Sequence, residues 1–167
     1  MNTRQERSSL MSRPLLAIPH RTEEFGGGCL PACCQMALAF FGIAKSQKQI
    51  AMQIGHIEGA GTPARNVTRL SVFRVDARHI ESGTLNNLRE GVEAGAAIIV
   101  FVRTGELPYR DEDTPHALVI VGVETDIIYV NDPAFEDAPI AMAIDDFMLA
   151  WDEFENQYAV VRRRSRG

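Results

Sequence analysis

A run of three glycines that leads into a cysteine and a long apolar segment constrains the fold of this chain more than any other feature. Residues 26–42 have the sequence GGGCLPACCQMALAFFG. Proline is tolerated only in the first turn of a helix, and glycine is common just beyond its C-terminal end. Pro31 and Gly42 therefore predict a helix from Cys29 to about Phe41. This helix is apolar on nearly all sides, which predicts a central position in the core.

Cys29 lies at the N-terminal end of the predicted helix. Free N–H groups and the helix dipole favour an anion there, so we expect the Cys29 thiol to ionise more readily than a free thiol and to be nucleophilic. By itself, a buried cysteine on an apolar helix is more often structural than catalytic. Cys33 and Cys34 are expected in the core, because their spacing lacks the paired ligands of a zinc site.

Length and composition limit the function classes. The chain has 167 residues, of which 46% are hydrophobic, and this predicts one globular domain with a substantial core. Its net charge of −5 gives no support to a nucleic-acid partner. The clustered cysteines do not suit a disulfide framework and favour a reducing, cytoplasmic location. We expect no metal and no cofactor, and the sequence does not define the oligomeric state.

The ends of the chain differ from its middle. We expect residues 1–13 to form a disordered N-terminal arm, residues 14–163 to form the domain, and residues 164–167 to form a basic tail. The arm is polar and charged, so we expect it to be neither a signal peptide nor a membrane span. The run Arg162–Arg164 is most simply a frayed, solvated C-terminus.

Hydrophobic periodicity and capping residues predict helices early in the chain and strands mostly later. Leu15–Ile18 suits a strand or an extended segment. Further helices are predicted at 47–54, from 61, at 84–94 and after Asp145. Strands are predicted at 72–80, 96–104, 117–123, 127–130, 140–144 and 157–163. This order favours an α+β domain, with an N-terminal helical part packed on a mainly antiparallel sheet.

His116 differs from the other three histidines because it stands directly before a strongly apolar strand. The next strand ends at Asn131-Asp132-Pro133. If the turn between these strands is centred near Thr125, the numbers of opposite residues sum to about 250. Asp132, rather than Asn131, then shares a face with His116, although a β-bulge would exchange the two.

Taken separately, these residues have ordinary explanations. A histidine that opens a strand is commonly a surface or capping residue, and Asn-Asp-Pro is a turn signal. Together with Cys29 they supply a nucleophile, a base and a group that orients the base. One site that contains Cys29, His116 and Asp132 would account for all three.

The segments CLPACCQMALAFFG and HALVIVGVETDIIYVNDP resemble the cysteine peptidase family thirty-nine, which includes bacteriocin-processing peptidase domains of ABC transporters. The resemblance extends from about Ile18 to Val161 and implies a papain-like α+β fold. It also implies that Cys29 is the nucleophile, His116 the general base and acid, and Asp132 the orienting carboxylate. Such enzymes form a thioester acyl-enzyme, and transporter-linked members cleave after a double glycine in a leader peptide. The Leu-Pro-Ala-Cys variant is similar to stand-alone, soluble members.

Three positions depart from the family pattern. Glu23 occupies the place of a glutamine that donates to the oxyanion, and an ionised carboxylate only accepts hydrogen bonds and repels negative charge. Burial that keeps Glu23 protonated, or backbone N–H groups of the glycine run, would restore a donor; a solvated loop glutamate is the alternative. Gly28 replaces the usual acidic residue before the cysteine, and Leu30 replaces the usual glycine after it.

We therefore expect a cysteine peptidase that cleaves a peptide or isopeptide bond in a peptide or protein substrate. Ligation or cyclisation through the same thioester is a neighbouring possibility, and a catalytically silent relative that binds peptides or proteins is the alternative from another class. Trp151, Phe154 and Tyr109 are candidates for a substrate groove, although the helical position of Trp151 favours the core. We expect the loop from Glu106 to Pro115 to border the cleft.

Overall fold

An antiparallel sheet with helices on both faces forms the protein in the computed structural model, which describes residues 14–165. The predicted N-terminal arm over residues 1–13 lies outside the described residues. The strands are β1 (Val75–Ile80), β2 (Ala97–Arg103), β3 (Pro115–Val123), β4 (Ile127–Asn131), β5 (Ile140–Ala143) and β6 (Tyr158–Arg163). They lie in the order β1-β6-β2-β3-β4-β5, and every neighbouring pair is antiparallel. The predicted α+β class with an antiparallel sheet is confirmed.

Capping residues mark the start of two of the helices in the part of the chain that the structure describes. The α-helices are α1 (Cys29–Phe40), α2 (Gln47–Ile54), α3 (Leu85–Glu93) and α4 (Ile144–Asp152). Ser46 and Thr84 each form a complete capping box at α2 and α3. Asp145 was the predicted cap of α4, but it lies in the first turn, where the helix dipole also favours a carboxylate.

The central strands lack the alternation of apolar and polar residues that is typical of a half-buried sheet, and β2 shows the reason. Ile99 and Phe101 belong to a core cluster that includes α1 and α2. Ile98 and Val100 belong to a second cluster with α3 and α4, which contains the fully buried Trp151. Because helices cover both faces, every position from Ala97 to Val102 is apolar. Trp151 is therefore a core residue.

Helix α1 begins at Cys29, as the glycine run predicted. Pro31 lies in its first turn, and Gly28 is an N-cap without a side-chain hydrogen bond. Cys33 and Cys34 are fully buried, in agreement with the predicted core positions. Beyond the helix, Gly42 has a φ of 77°, a conformation that glycine adopts without strain.

The hairpin of β3 and β4 has the predicted register at the end where His116 lies. Val119 pairs with Asn131, and Ile120 pairs with Val130. A β-bulge shifts the register between Ile120 and Gly122. Since the bulge lies on the side of the turn, it leaves the relation between His116 and Asp132 unchanged.

One segment differs from its predicted secondary structure. The third helix is a 3₁₀ helix at Ala64–Phe73, and Arg74 follows it with a φ of 67°. This left-handed residue ends the helix, so β1 begins at Val75 rather than at residue 72. Of the two forms predicted for Leu15–Ile18, the structure has the extended segment, and the Leu16 N–H donates to the carbonyl of Val121 over 2.8 Å.

The basic run near the C-terminus is exposed but not frayed where the structure describes it. Arg163 belongs to β6 and donates to the Phe41 carbonyl over 3.2 Å. Arg164 donates to the carbonyl of Ser71 over 2.8 Å and to that of Val75 over 3.2 Å. Within residues 14–165, no helix has both the length and the apolar character needed to cross a membrane.

Gln47 of α2 fixes the loop that leads to Cys29. Its side chain is 1% exposed. The amide nitrogen donates to the carbonyl of Thr22 over 2.7 Å, and the amide oxygen accepts from the Glu24 N–H over 3.0 Å. Gln47 therefore holds the backbone on both sides of Glu23.

Replacing Gln47 with methionine keeps the length of the side chain and removes its amide. We expect a loss of about 1–3 kcal/mol in the free energy of unfolding, because the two part-buried hydrogen bonds to the Thr22 carbonyl and the Glu24 N–H are lost. Urea denaturation measures this change. Gln53→Met on the same helix is the control, since the Gln53 amide makes a long 3.5 Å contact to Arg69. Equal losses of stability in the two variants would contradict the conclusion that the Gln47 amide holds the loop around Glu23.

Candidate active site

His116 and Asp132 form a buried hydrogen bond at one end of the sheet. His116 is the second residue of β3, and Asp132 directly follows the last residue of β4. Antiparallel pairing brings both to the same end. A carboxylate only accepts hydrogen bonds, so the His116 Nε2–H donates to Asp132 Oδ1, over 2.7 Å. The two side chains are 5% and 0% exposed.

Cys29, the first residue of α1, lies beside the same imidazole. Helix α1 packs against β3, and its first residue places the thiol in hydrogen-bonding contact with His116. Because Nε2 is bonded to Asp132, Nδ1 is the ring nitrogen that remains for Cys29. The structure thus brings together a thiol, an imidazole and a carboxylate from three separate parts of the chain.

The charges of this site shift the pKa values of its members. Burial alone would lower the pKa of His116, but its hydrogen bonds to Asp132 and Cys29 outweigh burial and raise the pKa to about 9. Burial would also raise the pKa of Asp132, yet the hydrogen bond and charge of His116 hold it below its ordinary value. The pair therefore favours an imidazolium beside a carboxylate.

Further donors hold the Asp132 carboxylate in place. The Ala134 N–H donates to Oδ1 over 2.9 Å, and the Tyr109 hydroxyl donates to Oδ2 over 2.9 Å. Arg110 Nη1 lies 4.0 Å from Oδ2. Burial and the nearby Asp132 charge raise the pKa of Tyr109, so its hydroxyl remains a donor. Tyr109, a candidate for the substrate groove, lies behind Asp132 instead.

Asn131 faces a different part of the protein from Asp132. Asn131 is 3% exposed, and its side-chain amide donates to the carbonyl of Ile18 over 3.2 Å. This bond anchors the extended N-terminal segment to β4. Of the two neighbouring residues, Asp132 is therefore the one within reach of His116.

Glu23 lies close enough to His116 and Asp132 for their charges to affect its pKa. Its backbone N–H donates to the carbonyl of Pro133 over 2.8 Å, next to Asp132. Burial raises the pKa of the Glu23 carboxyl; the positive charge of His116 opposes this shift, and the negative charge of Asp132 adds to it. A half-buried carboxyl with a raised pKa holds its proton more readily than one in a solvated loop.

Gly28 lies immediately before Cys29 and contacts the Glu23 carboxyl. Its N–H donates to the carbonyl of Phe25 over 3.0 Å and also hydrogen-bonds to the Glu23 carboxyl, which lowers the pKa of Glu23 in part, so that amide is already engaged. A side chain at this position would meet the Phe25 ring at 2.9 Å and the Phe25 carbonyl oxygen at 2.8 Å. Close approach of Phe25 therefore requires glycine immediately before Cys29.

The other two cysteines are poor nucleophiles. Cys33 and Cys34 are fully buried, and burial raises the pKa of each thiol. Cys29 is partly exposed. Together with His116, it lines an open cavity of about 330 Å³. A peptide that enters this cavity would meet the thiol and the imidazole.

Sequence reasoning missed the residues that surround Asp132. Tyr109 and Arg110 lie in an irregular loop, where no periodic pattern or spacing marks a buried donor. Phe135 joins them, because its ring packs edge-on against Tyr109 and beneath the Arg110 guanidinium. Arg110 Nη1 is buried without a hydrogen-bond partner among the described residues. Two adjacent polar residues in a loop with two prolines were the weak signal available.

A helix-borne thiol beside a histidine on an antiparallel sheet defines a papain-like α+β domain. The chain belongs to the Peptidase_C39 like family, whose pattern matches residues 15–165. The resemblance found in the sequence is thereby confirmed. No match to a curated protein was found for this sequence.

Solved structures support the same fold. A Bacillus anthracis protein described as a C39-like peptidase has 15% identity and a TM-score of 0.73, covering 92% of this chain and 100% of its own. The peptidase domain of Streptococcus ComA, a bifunctional ABC transporter, has 16% identity and a TM-score of 0.70, covering 88% and 99%. A double glycine motif protease from an AMS/PCAT transporter, in complex with the leader peptide, has 15% identity and a TM-score of 0.66, covering 92% and 96%.

We expect the His116 ring to titrate near pH 9. Asp132→Asn removes the negative charge and leaves the burial, so the pKa of His116 should fall well below that value. NMR titration of the histidine ring protons measures the pKa of His116 in the wild type and in Asp132→Asn, and the signal missing from His116→Ala identifies the His116 ring. Asp137→Asn, at an exposed carboxylate, is the control. An unchanged His116 pKa in Asp132→Asn would show that Asp132 does not set it.

Proposed function

We propose that the protein is a cysteine peptidase in which Cys29 is the nucleophile, His116 the general base and acid, and Asp132 the residue that orients His116. The observation that carries this proposal is the continuous contact from Cys29 through His116 to the buried Asp132, at the wall of an open cavity. A nucleophilic thiol, a base beside it and a group that orients the base form the usual arrangement for covalent catalysis by cysteine. Family membership supports the same function.

The proposed reaction proceeds through a thioester. The sulfur of Cys29 attacks the carbonyl carbon of the substrate, and the thiol proton is held by His116. The carbon–nitrogen bond breaks as His116 gives this proton to the departing amine. Water then attacks the thioester while His116 accepts its proton; the acid product leaves, and the proton returns to the sulfur.

The raised pKa of His116 suits the first step. A pKa of about 9 means that the ring is an imidazolium at neutral pH. A positive charge next to the sulfur stabilises a thiolate. The negative charge of Asp132 stabilises the His116 imidazolium. Its hydrogen bond to Nε2 also fixes the ring orientation, so Nδ1 stays directed at Cys29.

Glu23 is the proposed side-chain donor to the oxyanion, in its protonated form. Its position beside Asp132 and Gly28 and its raised pKa support this role. One preorganised donor is worth about 3–4 kcal/mol of transition-state stabilisation. Because the Gly28 N–H is bonded to Phe25, that amide is a weaker candidate.

The proposed substrate is a peptide or a protein segment. The related double glycine motif protease was solved with a leader peptide, which supports a peptide substrate for the shared fold. Water completes the reaction in a peptidase, whereas an amine in its place would give ligation. Three unpaired cysteines, one of them the nucleophile, favour a reducing compartment such as the cytoplasm.

Alkylation of the cysteines tests the proposed site directly. With iodoacetamide at pH 7, we expect Cys29 to react at least about tenfold faster than Cys33 and Cys34, and His116→Ala to remove most of this advantage. Peptide mass spectrometry measures each rate, and casein hydrolysis by the wild type and Cys29→Ala measures activity. His79→Ala is the control, because His79 bonds to Gln157.

Two outcomes would separate the candidate functions. A Cys29 rate no higher than that of the buried cysteines, and unaffected by His116→Ala, would exclude a cysteine peptidase. Fast, His116-dependent labelling without hydrolysis of any peptide would favour a catalytically silent binding protein.

Glu23→Gln replaces a donor that depends on protonation with a permanent one. We expect kcat at pH 7.5 to be preserved or raised, and activity to extend to higher pH, because the wild type loses its donor as Glu23 ionises. A pH profile of kcat measures this change. Glu24→Gln, at the exposed neighbouring residue, is the control. A tenfold loss in Glu23→Gln would assign Glu23 a role as a carboxylate.

A further inference from the structure

The cavity beside Cys29 is lined mostly by uncharged residues. Among the described residues, those that line it include His116 but no Asp, Glu, Lys or Arg. Charged residues make up 23% of the whole chain. The His116 imidazolium is already paired with the Asp132 carboxylate, so the cavity offers no free ion-pair partner to a charged side chain, and binding one there would cost its desolvation.

Large apolar side chains form the inner walls of the same cavity. Leu30 follows the thiol on α1, Phe101 extends from β2, and Phe154 comes from the turn after α4. Leu30 is 3% exposed and Phe101 is 5% exposed, and both belong to the core cluster of α1. Phe154 packs partly buried against that cluster. These walls are therefore continuous with the rigid core.

The outer rim has little side-chain bulk. A tight turn at residues 57–61 is closed by two hydrogen bonds between Ile57 and Gly61, of 3.0 and 2.8 Å. Gly59 and Gly61 have φ values of 80° and 82°, which suit glycine. Gly59, Ala60 and Gly61 all line the cavity. An extended peptide backbone can approach this rim closely and direct a side chain inward.

We infer that this cavity is a specificity subsite that binds one large apolar side chain of the substrate, such as leucine, adjacent to the bond that Cys29 attacks. This inference rests on the proposed peptidase function and narrows its substrate class. A double glycine would leave the walls of Phe101 and Phe154 without contacts. Burial of one leucine side chain is worth at least about tenfold in reaction rate.

Matched affinity labels test the subsite without requiring turnover. Acetyl-dipeptidyl chloromethyl ketones of the forms X-Gly and Gly-X, with X as Leu, Lys or Asp, are compared with Gly-Gly. In each, the sulfur of Cys29 displaces chloride and forms a carbon–sulfur bond. We expect leucine, in one of the two positions, to raise the labelling rate at least about tenfold over Gly-Gly, and lysine and aspartate to give no gain.

Two variants locate the preference in the cavity. Phe154→Asp adds a negative charge to the wall, so lysine should become faster than leucine at the same position. Ala60→Phe, at an exposed turn residue, should fill the cavity and slow the leucine reagent to the Gly-Gly rate. Leu149→Asp, on the exposed face of α4, is the matched control and should leave the order of rates unchanged.

The outcomes distinguish the subsite from the peptidase function. Gly-Gly as the fastest reagent, equal rates for all reagents, or an unchanged order in both Phe154→Asp and Ala60→Phe would overturn the subsite. The peptidase function would then stand on His116-dependent labelling and hydrolysis. If no reagent labels Cys29 faster than Cys33 and Cys34, the peptidase function fails and the subsite fails with it.

Discussion

The hydrogen bond between His116 and the buried carboxylate of Asp132 is the interaction on which the geometry of the site depends. Asp132 is fully buried, and leaving such a charge without partners costs several kcal/mol. His116, Tyr109 and Ala134 all donate to it. These donors hold the carboxylate in one position, and the carboxylate in turn holds the imidazole. A single orientation of the ring leaves Nδ1 directed at Cys29.

The scaffold places this interaction through three separate constraints. The β3–β4 register puts His116 and Asp132 at one end of the sheet, and the bulge lies away from them. The glycine run and Pro31 fix the start of α1, and therefore the position of Cys29. The loop between carries Glu23 and is bonded to Pro133 and to Gln47. Because the loop leads into Cys29 and is bonded to Pro133 next to Asp132, a change in the loop is expected to move the nucleophile and the partner of the base together.

Local signals account for the parts of the fold that could be predicted. Ser46, Thr84 and Gly42 mark helix ends because capping and left-handed conformations depend on a few neighbouring residues. The 3₁₀ helix before β1 was predicted as an ordinary helix, since its ending depends on the left-handed Arg74 and on packing. Tyr109 was placed in the substrate groove for a related reason. No local pattern shows which distant carboxylate a loop hydroxyl will meet.

The sequence by itself determined the α+β class, the start of the cysteine helix, and the register that brings Asp132 within reach of His116. These follow from short-range rules of capping, periodicity and pairing. Only the tertiary structure decided that Tyr109 supports Asp132 and that a mostly uncharged cavity adjoins Cys29. Each of these depends on residues far apart in the chain, and their distances are set by the packing of both core layers against the sheet.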